Sequence, residues 1–163
     1  MLFRSDWSAL YLFEDKGIVI EEAVMGVMLF NGTMCIGRLL GNRLGKHLTS
    51  KQVVVGGYLL GSIAMGLIVF LPGHASMYTY LLLGISLAMI VPNLFSAMGE
   101  QNVIPMTQAV ATSTMLGYMG ILMGPALIGF IAHGTSLTVA FIVLTTLLVV
   151  SAGIGKYAYH LMS

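Results

Sequence analysis

Five long apolar runs, at 23–40, 53–71, 77–99, 107–132 and 137–155, take up most of this chain of 163 residues. A bilayer's hydrocarbon core is about 30 Å thick and takes about 20 helical residues to cross, so each run can span it. Apolar character extends round every side of these runs instead of alternating, and a lone strand leaves its backbone polar groups unsatisfied in lipid. The expectation is an all-α polytopic membrane bundle of five transmembrane helices, forming one membrane domain over residues 1–163. The connections carry the breakers: "LPGHAS", "EQNVIP" and "AHGTS". Residues 1–22 hold only a short apolar piece at 8–13, too short to cross, and are expected to be a stub on the outer side.

Composition narrows the function classes. Charged residues are 8% of the chain, hydrophobic residues 58%, and the mean hydropathy is +0.95, which makes a lipid bilayer the first partner. A net charge of +1 excludes a nucleic-acid partner, which demands a dense basic face. The start "MLFRSDWSALYLFEDKG" lacks the pattern of a cleaved secretory signal. Cys35 is the single cysteine, so no internal disulfide can form. His47, His74, His133 and His160 lack metal-ligand spacing, and no nucleophile motif or phosphate loop is present. The chain is therefore not expected to be an enzyme, and no catalytic residue, metal or cofactor is assigned.

The charge that remains is unevenly placed. Arg38, Arg43, Lys46 and Lys51 cluster at the junction of the first two runs with no acid among them. Short loops rich in Lys and Arg stay in the cytoplasm. Alternation then puts Glu14, Asp15, Glu21 and Glu22 outside, "PGHAS" outside, "EQNVIP" inside, "HGTS" outside and the tail with Lys156 inside. This gives a multi-pass inner-membrane protein with its N-terminus outside and its C-terminus cytoplasmic. Arg38 lies near a helix end, from which it can snorkel. Gly37, Gly41 and Gly45 fall four apart, a spacing that lets a neighbouring helix approach closely.

The stretch "GRLLGNRLGK" at 37–46 resembles the cytoplasmic signature of the major facilitator superfamily: a small residue, Asp-Arg, any residue, Gly and a basic pair. Asn42 stands where the family commonly has Asp, Arg43, Gly45 and Lys46 match, and His47 replaces the second basic residue. The resemblance implies a cytoplasmic gating motif of Gly41, Asn42, Arg43, Gly45 and Lys46. Asn42 hydrogen-bonds without charge, which weakens the gate without removing it. "GYMGILMGPALIGFIA" at 117–132 resembles the family's Gly-rich, Gly-Pro helix, with Gly117, Gly120, Gly124, Pro125 and Gly129 as its packing motif. "DWSALYL" at 6–12 resembles the outer end of the seventh helix in a bacterial branch. By order and orientation the five spans resemble helices eight to twelve of a twelve-helix carrier, preceded by a remnant of helix seven.

That resemblance implies the C-terminal part of a secondary transporter that moves a small solute by alternating access, with substrate held at mid-membrane between two halves. An N-terminal half, or self-association, would supply the opposite wall. The alternative is a truncated, non-transporting membrane protein or helix-packing element.

Few residues can carry transport. Asn31 and Thr33 flank Gly32 near the middle of the first span, where polar groups either face a cavity or bond between helices. "NGT" there matches a glycosylation acceptor, but at bilayer depth it is out of reach. Pro92 removes a backbone donor beside Asn93, leaving either a carbonyl for ligand or water, or simply a kink. Tyr118 offers a hydroxyl to a cavity or bulk beside the glycines. Glu100 is read as a solvated helix end. A reporter fused after Lys46 is expected to stay cytoplasmic and one fused at His74 to be exported; the opposite pattern in alkaline phosphatase fusions would invert the topology.

Overall fold

A computed structural model describes the backbone of residues 2–44, 49–100 and 104–161, and side chains within those ranges apart from 2–6, 40–44, 100 and 160–161. Seven helices are present among the described residues, and no strand: α1 (Leu2–Glu14), α2 (Ile20–Leu44), α3 (Ser50–Phe70), α4 (Gly73–Ala88), α5 (Ile90–Glu100), α6 (Met106–Gly134) and α7 (Leu137–Leu161). With α4 and α5 crossing together, five stretches are long and apolar enough to span a membrane: Ile20–Leu39, Ser50–Phe70, Gly73–Gly99, Met106–Gly134 and Leu137–Tyr159.

Local chemistry sets the ends of these helices. Past the end of α1 the chain turns at Gly17, whose φ of 66° suits a residue without Cβ; the Asp15 and Lys16 N–H groups donate back to the Tyr11 carbonyl. Thr49 precedes α3, and its N–H donates to Gln52 Oε1 at 3.1 Å, one half of a capping box. Pro72 and Gly73, the latter with φ of 51°, turn the chain from α3 into α4. Ser136 caps α7, accepting the Val139 N–H at 3.2 Å.

The third span is interrupted at Met89, which separates α4 from α5. Pro92 is the cause: with no N–H it cannot bond the carbonyl four residues back, at Ala88, and its ring crowds that turn. Pro125, inside α6, leaves that helix continuous.

In a membrane, helices associate through close packing and interhelical hydrogen bonds, because lipid is as apolar as leucine. Here α4 sits centrally, against α2 on one side and α3 on the other, with α7 covering α3. Three small-residue contacts hold this arrangement. A Cβ added at Gly84 of α4 would overlap Thr33 Oγ1 and lie 2.5 Å from the Phe30 carbonyl oxygen, both on α2. One at Gly37 of α2 would lie 2.6 Å from Ala88 Cβ, and one at Gly57 of α3 would lie 2.7 Å from the Ser86 carbonyl oxygen. Ser76 Oγ of α4 also donates to the Ile68 carbonyl of α3 at 2.9 Å.

The buried cluster lies toward the end where α1 meets α3, α4 and α7. Tyr11 and Leu12 of α1, Ile68 of α3, Tyr80 of α4 and Phe141 of α7 belong to it, and the Tyr11 and Phe141 rings stack with centroids 4.3 Å apart. The segment 2–14 is thus a packed helix that contributes to the core. In contrast, α6 lies at the edge: none of its most apolar 18-residue stretch is buried.

The glycine contacts give a paired test. Gly84→Ala is expected to destabilise by about 1–3 kcal/mol through overpacking against α2. Gly66→Ala on α3, where an added Cβ meets nothing within 4 Å, is expected to be neutral or to stabilise by up to about 1 kcal/mol through helix propensity. Thermal unfolding of both variants in detergent reads the difference.

Candidate functional site

Two of the bundle's uncovered faces carry residues expected at the site. The first is on α2. Gly26, Thr33 and Gly37 point toward the neighbouring helices, Gly26 against Leu12 and Met77 and the other two against α4. Asn31, Cys35 and Arg38, spaced i, i+4 and i+7, share the opposite face. Together with Met34 and Leu39 they line an open groove of about 240 Å³. Asn31 Nδ2 donates to the Val27 carbonyl at 2.9 Å, which leaves its side-chain oxygen available to the groove. Arg38, at the far end of the stripe from Asn31, is exposed.

Thr33 is oriented differently. Its hydroxyl donates to the Leu29 and Phe30 carbonyls at 2.7 and 3.1 Å, and it lies in the tight contact with Gly84, away from the groove.

The second face is on α6. Added Cβ atoms at Gly117, Gly120 and Gly124 would meet nothing within 4 Å, and Tyr118 beside them is 64% exposed. Pro125 is half-buried. Gly129 is engaged: the Trp7 ring of α1 lies 3.2–3.4 Å from where its Cβ would be. The packing motif therefore divides into one position used inside the bundle and a glycine face turned outward.

At the break between α4 and α5, Asn93 Nδ2 donates to the Met89 carbonyl at 2.8 Å, and the Asn93 N–H donates to the same oxygen at 3.2 Å. Asn93 thereby stabilises the joint that Pro92 opens. Pro92 itself is exposed and Asn93 half-buried. Of the signature segment, Gly41, Asn42 and Arg43 lie on the last turns of α2 with their side chains outside the described set, and Gly45 and Lys46 lie outside the described residues.

The opposite end of the bundle carries a polar belt. Lys16 Nζ donates to the Val69 carbonyl at 2.6 Å, at the C-terminal end of α3 where the helix dipole favours a cation; it also lies 5.5 Å from the Tyr11 ring centroid. His74 Nε2 and Glu22 Oε2 are 2.7 Å apart, joining the starts of α4 and α2. Thr138 Oγ1 donates to Asp15 Oδ2 at 2.8 Å, joining α7 to the turn after α1. Burial raises the Tyr11 phenol above its ordinary value and Asp15 adds to this, while a side-chain hydrogen bond with Thr138 opposes it; the ring stays neutral in its stack. The segments that charge alternation grouped on one side, around 14–22, 69–76 and 133–138, thus meet at one end.

The polar groove on α2 and the glycine face on α6 both lie on helices long and apolar enough to span a membrane. An uncharacterized MFS-type transporter of Yersinia pestis is 42% identical over 139 residues, 83% of this chain and 36% of that protein. The chain belongs to the major facilitator superfamily. Membrane protein MosC of Rhizobium meliloti is 28% identical across 92% of the chain and 38% of its own length. An uncharacterized transporter, y4wD, of Sinorhizobium fredii is 27% identical across 85% of the chain and 37% of its own length. The chain thus spans little more than a third of the length of these relatives. No protein-family model matches it, and no solved structure does.

Reasoning from residues alone read Arg38 as a helix-end cation. Its i, i+4, i+7 relation to Asn31 and Cys35 was the available signal that it belongs to a polar stripe. For this polar belt, Lys16→Met is expected to destabilise by about 1–3 kcal/mol, since it leaves the half-buried Val69 carbonyl without its donor. Glu22→Gln, at an exposed pair, is expected to cost less than about 1 kcal/mol. Unfolding by a denaturing detergent ranks the two.

Proposed function

We propose that this chain is the C-terminal part of a secondary transporter that moves a small solute across the bacterial inner membrane by alternating access, completed by an N-terminal half. The observation that carries this reading is the uncovered stripe of Asn31, Cys35 and Arg38 on a membrane-spanning helix. Polar side chains at bilayer depth are costly unless they face protein or water, and none of the described residues covers them. The outward glycines of α6 supply a second surface that a neighbouring helix can approach closely. The relatives named as transporters are longer, which leaves room for a covering half.

In this reading Asn31 accepts or donates hydrogen bonds to solute, and Arg38 sets the charge at the inner mouth. Tyr118 contributes from α6. The joint at Met89, Pro92 and Asn93 absorbs bending between the two halves of the third span, because a helix already lacking one backbone bond bends at lower cost there. The segment from Gly41 to Lys46 lies on the cytoplasmic side, where Asn42 and Arg43 gate one conformation. In this reading the N-terminus is outside and the C-terminus cytoplasmic, which the basic cluster favours. In this reading the protein works as a carrier and not as an enzyme.

Cys35, the single cysteine, is a built-in probe of this cavity. Co-expression with the N-terminal half of the Yersinia pestis relative is expected to make Cys35 reactive toward a charged, water-soluble maleimide. Without that half the thiol faces lipid and reacts several-fold more slowly. Equal labelling in both cases would favour a non-transporting, helix-packing protein.

A further inference from the structure

A separate groove of about 400 Å³ opens at the outer end, between α1 and the junction of α6 with α7. Its size is that of a small-molecule site. The inner wall is apolar, formed by Trp7 and Leu10 of α1 with Leu137 of α7. The rim is polar, formed by Glu14, Asp15 and His133. None of the described lining residues is Lys or Arg, and the nearest described cation, Lys16, is held elsewhere by the Val69 carbonyl and the Tyr11 ring. Among the described residues the rim therefore presents the Glu14 and Asp15 carboxylates beside the His133 imidazole, above an aromatic wall.

Gly129 shapes this wall. Because it has no side chain, the benzo edge of the Trp7 ring approaches α6 to within 3.2–3.4 Å of the place a Cβ would take. A larger residue there would push the indole into the groove. Asp15 is partly committed, accepting the Thr138 hydroxyl, whereas Glu14 is exposed and positioned to receive a ligand charge.

We propose that this groove binds a free organic cation with an apolar body, its charge at Glu14 and Asp15 and its body against Trp7 and Leu10. Two adjacent exposed carboxylates attract a cation modestly through solvent, and the indole beside them adds cation–π attraction. Binding needs only α1, α6 and α7. It goes beyond the transport reading, because the groove can fill whether or not a transport cycle follows.

Trp7 is the single tryptophan, so intrinsic fluorescence reports this groove alone. The purified 163-residue chain in a neutral sugar detergent is titrated with tetraphenylphosphonium, and with tetraphenylborate as its anionic counterpart of equal shape. The expected result is saturable quenching by the cation and none by the anion. Glu14→Gln, an exposed change that leaves folding intact, is expected to weaken cation binding about fivefold to tenfold, the loss of one moderately screened charge contact. Equal responses to cation and anion, or an unchanged affinity in Glu14→Gln, would overturn the proposal. So would a saturating Trp7 response to added choline phospholipid alone, which would assign the groove to a lipid headgroup. Loss of transport with cation binding retained would count against the carrier reading and leave this site standing.

Discussion

The hydrocarbon interior supplies no water to satisfy a polar group, and that constraint shapes the whole chain. Each polar group on a span must find its partner within the protein. Most do so locally: the hydroxyls of Thr33, Ser62, Thr145, Thr146 and Ser151 each donate to a carbonyl three or four residues back on their own helix. A hydroxyl satisfied in this way leaves the helix surface effectively apolar. What then distinguishes one helix face from another is how closely it can be approached, and the contacts at Gly84, Gly37 and Gly57 fix which helices become neighbours.

The places that depart from this economy coincide with the uncovered faces. Arg38 and the amide oxygen of Asn31 open onto a groove, Pro92 interrupts a span, and the glycines of α6 that resemble the family's packing motif meet no neighbour. A chain that buried itself completely would show none of these. The superfamily places its transport path between two halves, and the proposed reading takes these faces as one wall of it.

Much of the fold was legible in sequence because the signals are physical and coarse. Length and hydropathy pointed to five long apolar helices, and five of that length are present; the breakers "LPGHAS" and "AHGTS" coincide with the turns before α4 and α7. The role of 2–14 was not legible: a segment too short to span gives no hydropathy signal, and the burial of Tyr11 and Leu12 depends on contacts with helices far away in sequence. The interruption at Met89 follows from Pro92, but sequence cannot distinguish a break there from the continuous helix that Pro125 permits in α6; packing around each proline decides. For the candidate site, Asn31, Pro92, Asn93 and Tyr118 were visible as polar or irregular positions. Sequence did not show that Thr33 faces α4 while Asn31, two residues earlier, faces away from it, since this needs the rotation of α2 about its own axis. The groove at Trp7 was hidden for the same reason, being assembled from three helices.

The most direct test is a single-cysteine scan along α2 from position 28 to 39, on a Cys35→Ser background with Cys35 itself as one member, together with an N-terminal half. Reactivity toward a water-soluble thiol reagent should peak at 31, 35 and 38 and fall to a minimum at 33 and 37, tracing one face of a helix. A flat profile, or maxima at 33 and 37, would mean that the stripe does not line water and would contradict the account.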